Sequence, residues 1–230
     1  MQPTDVYNVL KGKRAIHLHH ANSVGTSCTF LEEGALLSRN YVEQKGLFQT
    51  AQSSDAIDKQ YTIWDRIFLD HVDIHDRGGK GKGHNRYGPV LFKFDLDILL
   101  GLPPGTNIEV TKCNPIYWNK FPNSQDRWFQ TVQELASTIR FGNFDKMLVI
   151  KTPDEKFDLS GISFEILLDD PQQQLSSGQD AYQHADGRIR KAISQAGLDV
   201  MTSKRQCQQG CICLNSYAKL LAGEIDQFFE

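Results

Sequence analysis

Hydrophobic and polar positions along the chain sort into extended and helical stretches. In "PVLFKFDLDIL", Val90, Phe92 and Phe94 fall on one side of an extended chain, which predicts a half-buried strand. "KMLVIKT" and "GISFEILLDD" also read as strands, and "NIEVTKCNPIYW" as a strand broken by Pro115. "RAIHLHH" predicts a short strand, followed by the loop "ANSVGTS" and a helix through "CTFLEEGALLSR". Phe30, Leu31, Ala35 and Leu36 share roughly one face of that helix, and Gly34 is its natural stop. "SQDRWFQTVQELASTI" sets Trp128, Val132, Leu135 and Ile139 at helical spacing, with Ser124 as N-cap. "AYQHADGRIRKAISQAGL" predicts a further helix that stops before Asp199. "NYVEQKGLFQTAQSSDAIDKQ" is polar and aperiodic, a loop with a helical turn, while "YTIWDRIFLDHVDIHDR" predicts a helix running into a strand. "LPPGT" is a turn, and "RGGKGKGHNRYG" is a basic, glycine-rich loop. There is no internal repeat and no linker long enough to divide the chain. The expectation is one α+β domain over residues 1–230, with more sheet than helix.

Composition narrows the function classes. At 40% hydrophobic and 23% charged residues the chain is ordinary for a globular protein, and its net charge of -3 argues against a general nucleic-acid coat. A local basic groove is still compatible with that charge. No stretch approaches the run of about 20 apolar residues that spans a bilayer. The N-terminus lacks the order of a signal peptide, so a cytoplasmic protein is expected. Five cysteines in such a chain do not suggest a disulfide framework. Cys207, Cys211 and Cys213 cluster in "QCQQGCIC", but zinc needs four ligands and this is not a paired Cys-x-x-Cys spacing. Cys28, Cys113 or a histidine could supply a fourth ligand. Buried thiols are the better reading, and no metal is expected.

Two groups of residues carry candidate chemistry. His17, His19 and His20 crowd the strand ahead of the first helix. His17 and His19 alternate onto one face, and Asp70, His71, Asp73 and His75 in "LDHVDIH" could complete a metal site, although no recognised zinc spacing is present. Glu165 stands between Phe164 and Ile166 on an otherwise apolar strand. A carboxylate there costs several kcal/mol unless it is paired or solvated in a cleft. It belongs either to a wet edge strand or to a site that stabilises a developing cation.

The order of these parts resembles the DarT family of nucleic-acid ADP-ribosyltransferases. The family's N-terminal motif runs tyrosine-His-x-Thr-His, then Asn-Leu, then a short helix ending in Gly-x-Leu-Leu. In "IHLHHANSV … FLEEGALLSR", His17 falls on its first histidine, His20 on its second, and Ser23-Val24 on its Asn-Leu. "FLDHVDIH" is similar to its Leu-x-Asp-Tyr-Val-Pro segment, "GPVLFKFDL" to its next strand and "RWFQTVQELAS" to its following helix. "ISFEILLDD" is similar to the strand that carries its catalytic glutamate. The match runs collinearly from about residue 15 to 170, with His19 in place of threonine and Asp73 in place of proline.

The resemblance implies an ADP-ribosyltransferase-like split β-sandwich with flanking helices, with NAD+ as co-substrate and no metal. Glu165 would stabilise the positive charge developing at the ribose C1′ and orient the 2′-hydroxyl. Arg66, or alternatively Arg39, would pair with the pyrophosphate. His17, His19 and His20 would clamp the nucleotide, and Tyr61, Trp64 or Phe68 would stack on nicotinamide. The acceptor would be a base in single-stranded DNA or RNA, with Lys80, Lys82, His84 and Arg86 tracking the phosphates and Tyr87 and Trp118 offering stacking surfaces. A toxin of this kind implies an antitoxin partner and a role in defence against phage. The competing readings are a transferase that modifies protein, a metal-dependent hydrolase using His17, His19, Asp70 and His75, and a catalytically inert binding module.

Overall fold

The computed structural model describes residues 1–73, 75, 83–140, 146–207 and 211–230. The chain opens with α1 (Pro3–Gly12), started by a proline in its first turn and by Asp5 near its positive end. Val6, Tyr7 and Leu10 fill its buried face. Sequence reading gives this segment as a polar lead, because one buried turn and a half is too short to show a period.

β1 (His17–Asn22) follows, and Ser23 then caps α2 (Val24–Glu32) by accepting a bond from the Thr26 N–H. Residues Val24 to Leu31 of α2 are all buried, so the helix has no amphipathic stripe to announce its start. Gly34, at φ +62°, ends it, and Ala35–Leu37 forms β2 rather than more helix. The polar stretch after it holds two short helices, α3 (Arg39–Lys45) and α4 (Asp55–Gln60). Among the described residues of the aromatic segment that follows, Ile67–Asp70, β3, is extended and no helix precedes it beyond the end of α4.

β4 (Val90–Asp95) and β5 (Asn107–Val110) come next, then α5 (Val132–Thr138). The long helix expected from residue 124 is broken: Ser124–Arg127 is a 3-10 turn capped by Asn123, and α5 starts afresh on Thr131. Trp128, between them, is extended and meets the ring of Trp118 edge-on. β6 (Met147–Lys151), β7 (Lys156–Asp158) and β8 (Phe164–Leu168) lead to α6 (Ala181–Ala196), which closes on Gly197. β9 (Met201–Lys204), α7 (Cys213–Tyr217) and α8 (Ala222–Phe229) complete the chain.

The large sheet has seven strands in the order β5-β6-β3-β1-β4-β8-β9, antiparallel throughout except for β8 and β9, and β2 pairs separately with β7. β8 is therefore an interior strand, not a wet edge. Phe92, Phe94 and Phe164 stack on one face of the sheet, and each is buried. Burial of a ring of that size contributes roughly 2 kcal/mol. The opposite alternation, His19, Lys93, Glu165 and Met201, runs in register across β1, β4, β8 and β9. No helix among the described residues is long and apolar enough to cross a membrane.

Candidate active site

The sheet is weakest at its centre. β1 and β3 share the single pair His19↔Asp70, and beyond it the strands part. His20 holds the fork: its Nδ1 lies 2.8 Å from the Phe68 carbonyl oxygen. A carbonyl can only accept, so Nδ1 carries the hydrogen. Burial pushes the His20 pKa down, which keeps the ring neutral and leaves Nε2 as an acceptor, 3.4 Å from the Asn22 amide nitrogen.

A narrow cleft with a cavity volume of about 80 Å³ opens in this fork. Phe30, Ile57, Ile67 and Met147 give it apolar walls, and His20, Asn22, Arg39, Asp58, Arg66, Asp70 and Tyr87 give it polar ones. Arg39 enters from the first turn of α3, where Ser38 caps the helix through the Tyr41 N–H. Its Nη2 donates to the Thr50 carbonyl and to Asp55 Oδ2, both at 2.9 Å, and the guanidinium lies 5.1 Å from the Trp64 ring. Its Nε is buried and has no hydrogen-bond partner among the described residues. Arg66 bonds Asp65 at 3.0 Å and stands 3.5 Å from Glu109. Two guanidinium groups thus border one cavity, each held from behind by carboxylates.

Asp58 and Tyr87 are cleft residues that sequence reading did not assign to the nucleotide site. Burial raises the Asp58 carboxyl from 3.8 to about 6 against an opposing bond from Ser54, and raises the Tyr87 phenol to about 12. Asp58 sits in an aperiodic polar stretch, where nothing in the sequence marks a buried carboxylate. Tyr87 arrives because Gly88, at φ +141°, lets its loop press against the end of β1. A Cβ there would lie 2.1 Å from the Asn22 carbonyl oxygen.

Glu165 does not line this cleft. It borders a separate hollow with His17, Lys93, Asp95, Ser163, Asp199 and Met201. Lys93 Nζ donates to Glu165 Oε1 at 2.5 Å, and His17 Nδ1 lies 3.3 Å from Asp95 Oδ1 without the alignment of a hydrogen bond. His19, on the same sheet face, is 8% exposed, and burial pushes its pKa down to about 4. The three histidines therefore divide, with His20 at the cleft and His17 at the hollow.

The remaining candidates scatter. Trp64 backs Arg39 and donates its indole N–H to Glu43. Tyr61 turns away, edge-on to Trp118 and under Arg127. Trp118 is core, 1% exposed, and offers no stacking surface. Arg86 is exposed, and His84 is docked, 2.7 Å from Ser216 Oγ and stacked on Tyr217. Lys80 and Lys82 lie outside the described residues. His75, grouped above with His17 and His19, instead meets the cysteines, with its Nε2 at 3.7 Å from Cys207 Sγ and 3.6 Å from Cys211 Sγ.

No family model and no curated protein matches the chain. Among solved structures it is similar to DarT of Thermus sp. 2.9 in complex with ADP-ribosylated ssDNA, at 13% identity and a TM-score of 0.50, over 84% of this chain and 95% of that one. The same Thermus protein in complex with NAD+ gives 14% identity and 0.46 over 83% and 96% of the two chains. In complex with carba-NAD+ it gives 14% and 0.46 over 84% and 96%. At such identities the likeness is one of architecture, and what it establishes is that this chain has the fold of the Thermus DarT protein.

Proposed function

We propose that the protein is an NAD+-dependent ADP-ribosyltransferase that modifies a base in single-stranded DNA, with the β1–β3 fork as its donor site. The observation that carries this reading is the cleft itself, where Arg39 and Arg66 border one cavity and a buried Arg39 Nε is left to be satisfied. It is supported by the fold shared with a protein whose structure holds ADP-ribosylated ssDNA. The fork is read as the split of the expected sandwich.

Arg39 and Arg66 face the pyrophosphate, whose paired oxygens suit planar guanidinium donors. His20 Nε2 and the Asn22 amide meet ribose hydroxyls, and the Tyr87 ring packs beside a heterocycle. Cleavage of the glycosidic bond builds positive charge at the ribose C1′, so a carboxylate must face that carbon. Asp70 lines the cleft and Glu165 does not. The role expected of Glu165 is therefore assigned to Asp70, and Glu165 with Lys93 to the adjoining hollow. The exposed Arg86 and the neighbouring Lys80 and Lys82 serve the DNA backbone. Modification of the cell's own DNA is toxic, so the reading includes an antitoxin partner and a role in phage defence.

The test is incubation with labelled NAD+ and pools of single-stranded DNA, duplex DNA, RNA and protein. Label is expected on single-stranded DNA. Replacing Arg39 by Lys, or Arg66 by Met, is expected to raise the KM for NAD+ by roughly 30-fold, the value of a charge-assisted bond. Asp70→Asn is expected to lower kcat by about 10²-fold or more, and by more than Glu165→Gln. Label on protein alone would move the function to protein modification. No label on any pool, with nicotinamide unreleased, would remove the transferase.

A further inference from the structure

The three clustered cysteines and His75 converge on one point. Cys207 Sγ lies 3.4 Å from Cys213 Sγ and 3.7 Å from His75 Nε2, and Cys211 Sγ lies 3.6 Å from the same nitrogen. All four ligand atoms fall within 4.8 Å of one another. A tetrahedron built on zinc bonds of about 2.3 Å to sulfur and about 2.05 Å to nitrogen has edges of about 3.8 Å and about 3.5 Å. The sulfur–nitrogen separations of 3.6 and 3.7 Å and the sulfur–sulfur separation of 3.4 Å each lie within about 0.4 Å of such an edge.

The surroundings build the site from two remote segments. Asp73 and His75 follow β3, and Arg205 and Cys207 follow β9. Arg205 is ion-paired with both Asp73 and Asp169, and Asp169 also accepts the Tyr217 hydroxyl at 2.8 Å. Each segment thus presents one member of the ion network and, two residues on, one sulfur or imidazole. Cys211 Sγ accepts the Cys213 N–H at 3.5 Å, a bond that orients a thiolate towards a metal. His75 and Cys213 are buried, and Cys211 is half-buried.

We propose that His75, Cys207, Cys211 and Cys213 hold one zinc ion in a closed, four-coordinate structural site. Sulfur-rich tetrahedral donors select zinc over the oxygen-seeking cations. Binding releases the three thiol protons and leaves no coordination position for substrate, so the ion has no part in the reaction at the cleft. Its work is mechanical: it ties His75, just beyond β3, to the C-terminal segment that carries α7 and α8. The proposal stands whether or not the cleft binds NAD+.

The experiment is metal analysis of the full-length protein purified without chelator, beside Cys113→Ser as control and a Cys207→Ser/Cys211→Ser double variant. One zinc per chain is expected in the wild type and the control, falling to roughly a tenth or less in the double variant. Cobalt(II) exchanged into the wild type is expected to give the strong visible bands of tetrahedral coordination with thiolate-to-cobalt charge transfer. That readout does not depend on the variant folding. Folded wild type without stoichiometric zinc, a double variant that keeps it, a weak octahedral cobalt spectrum, or a Cys207–Cys213 disulfide in the native protein would each overturn the site.

Discussion

Asp58 gives the sharpest test of the cleft's electrostatics, because its cost can be worked from one residue. Folding raises its pKa from 3.8 to about 6, chiefly through burial. A carboxyl whose pKa is raised on folding favours the native state only while protonated. Its contribution is present below the unfolded value and is lost as pH rises through the folded value. The full difference of about 2.2 units corresponds to roughly 3 kcal/mol of native-state destabilisation at pH 7.5. An Asp58→Asn variant keeps the shape and cannot ionise. It should match the wild type near pH 3, lead by about half of the full difference at pH 5 and by roughly 3 kcal/mol at pH 7.5. Urea unfolding at constant ionic strength measures this, and equal m-values in the two proteins confirm that the denatured state is unchanged. His19 has the opposite slope, since burial lowers its pKa to about 4 and stability falls as pH drops below the unfolded value of 6.5. That slope is common to both proteins and cancels in the difference. A lead that stays constant with pH, or a variant less stable at pH 7.5, would refute the claim that Asp58 ionises inside the cleft at a cost.

Other expectations concern single contacts. Removing the guanidinium in Arg205→Met leaves Asp73 and Asp169 buried without their cation and should cost about 3–5 kcal/mol in urea unfolding. A loss below about 1 kcal/mol would show that water reaches the network. Glu165→Gln should change stability by less than about 1 kcal/mol, because the pair with Lys93 is 33% and 26% exposed at its two side chains. A larger loss would mean that Glu165 supports the sheet. Gly88→Ala combines a disfavoured φ with a Cβ 2.1 Å from backbone. It should cost at least about 2 kcal/mol and weaken nucleotide binding beyond that of a surface glycine variant such as Gly12→Ala. Equal binding in the two would separate the Tyr87 loop from the site.

Much of the fold is legible along the chain wherever burial has a period. β4 shows Val90, Phe92 and Phe94 on one face, and β8 shows Phe164, Ile166 and Leu168 opposite Glu165, as their alternation predicts. α6 runs from its Asp180 cap to Gly197 as its pattern indicates. The misses have definite causes. α2 is buried all round, so its sequence carries no stripe, and α1, α3 and α4 are too short for a period to rise above composition. Around Trp128 the spacing is helical, but the backbone is extended there and bridges to Thr111, with Phe129 N–H donating to the Val110 carbonyl.

Residue types, and the face that each strand residue takes, follow from the order of amino acids along the chain. The resemblance to the DarT family marked Arg39, Arg66 and His20 as candidates for the nucleotide, whereas the cysteine cluster read as buried thiols with no metal expected. Tertiary structure alone decided who meets whom. One-residue alternation on β1 sends His20 to the cleft and His17 to the hollow of Glu165, because neighbours along a strand point to opposite faces. His75 joins Cys207 across 132 positions of sequence, a closure set by sheet order and by the Arg205–Asp73 pair, neither of which has any local signature. Asp58 becomes a strained acid only when α4 is laid over the cleft, since desolvation belongs to the folded neighbourhood and not to the residue.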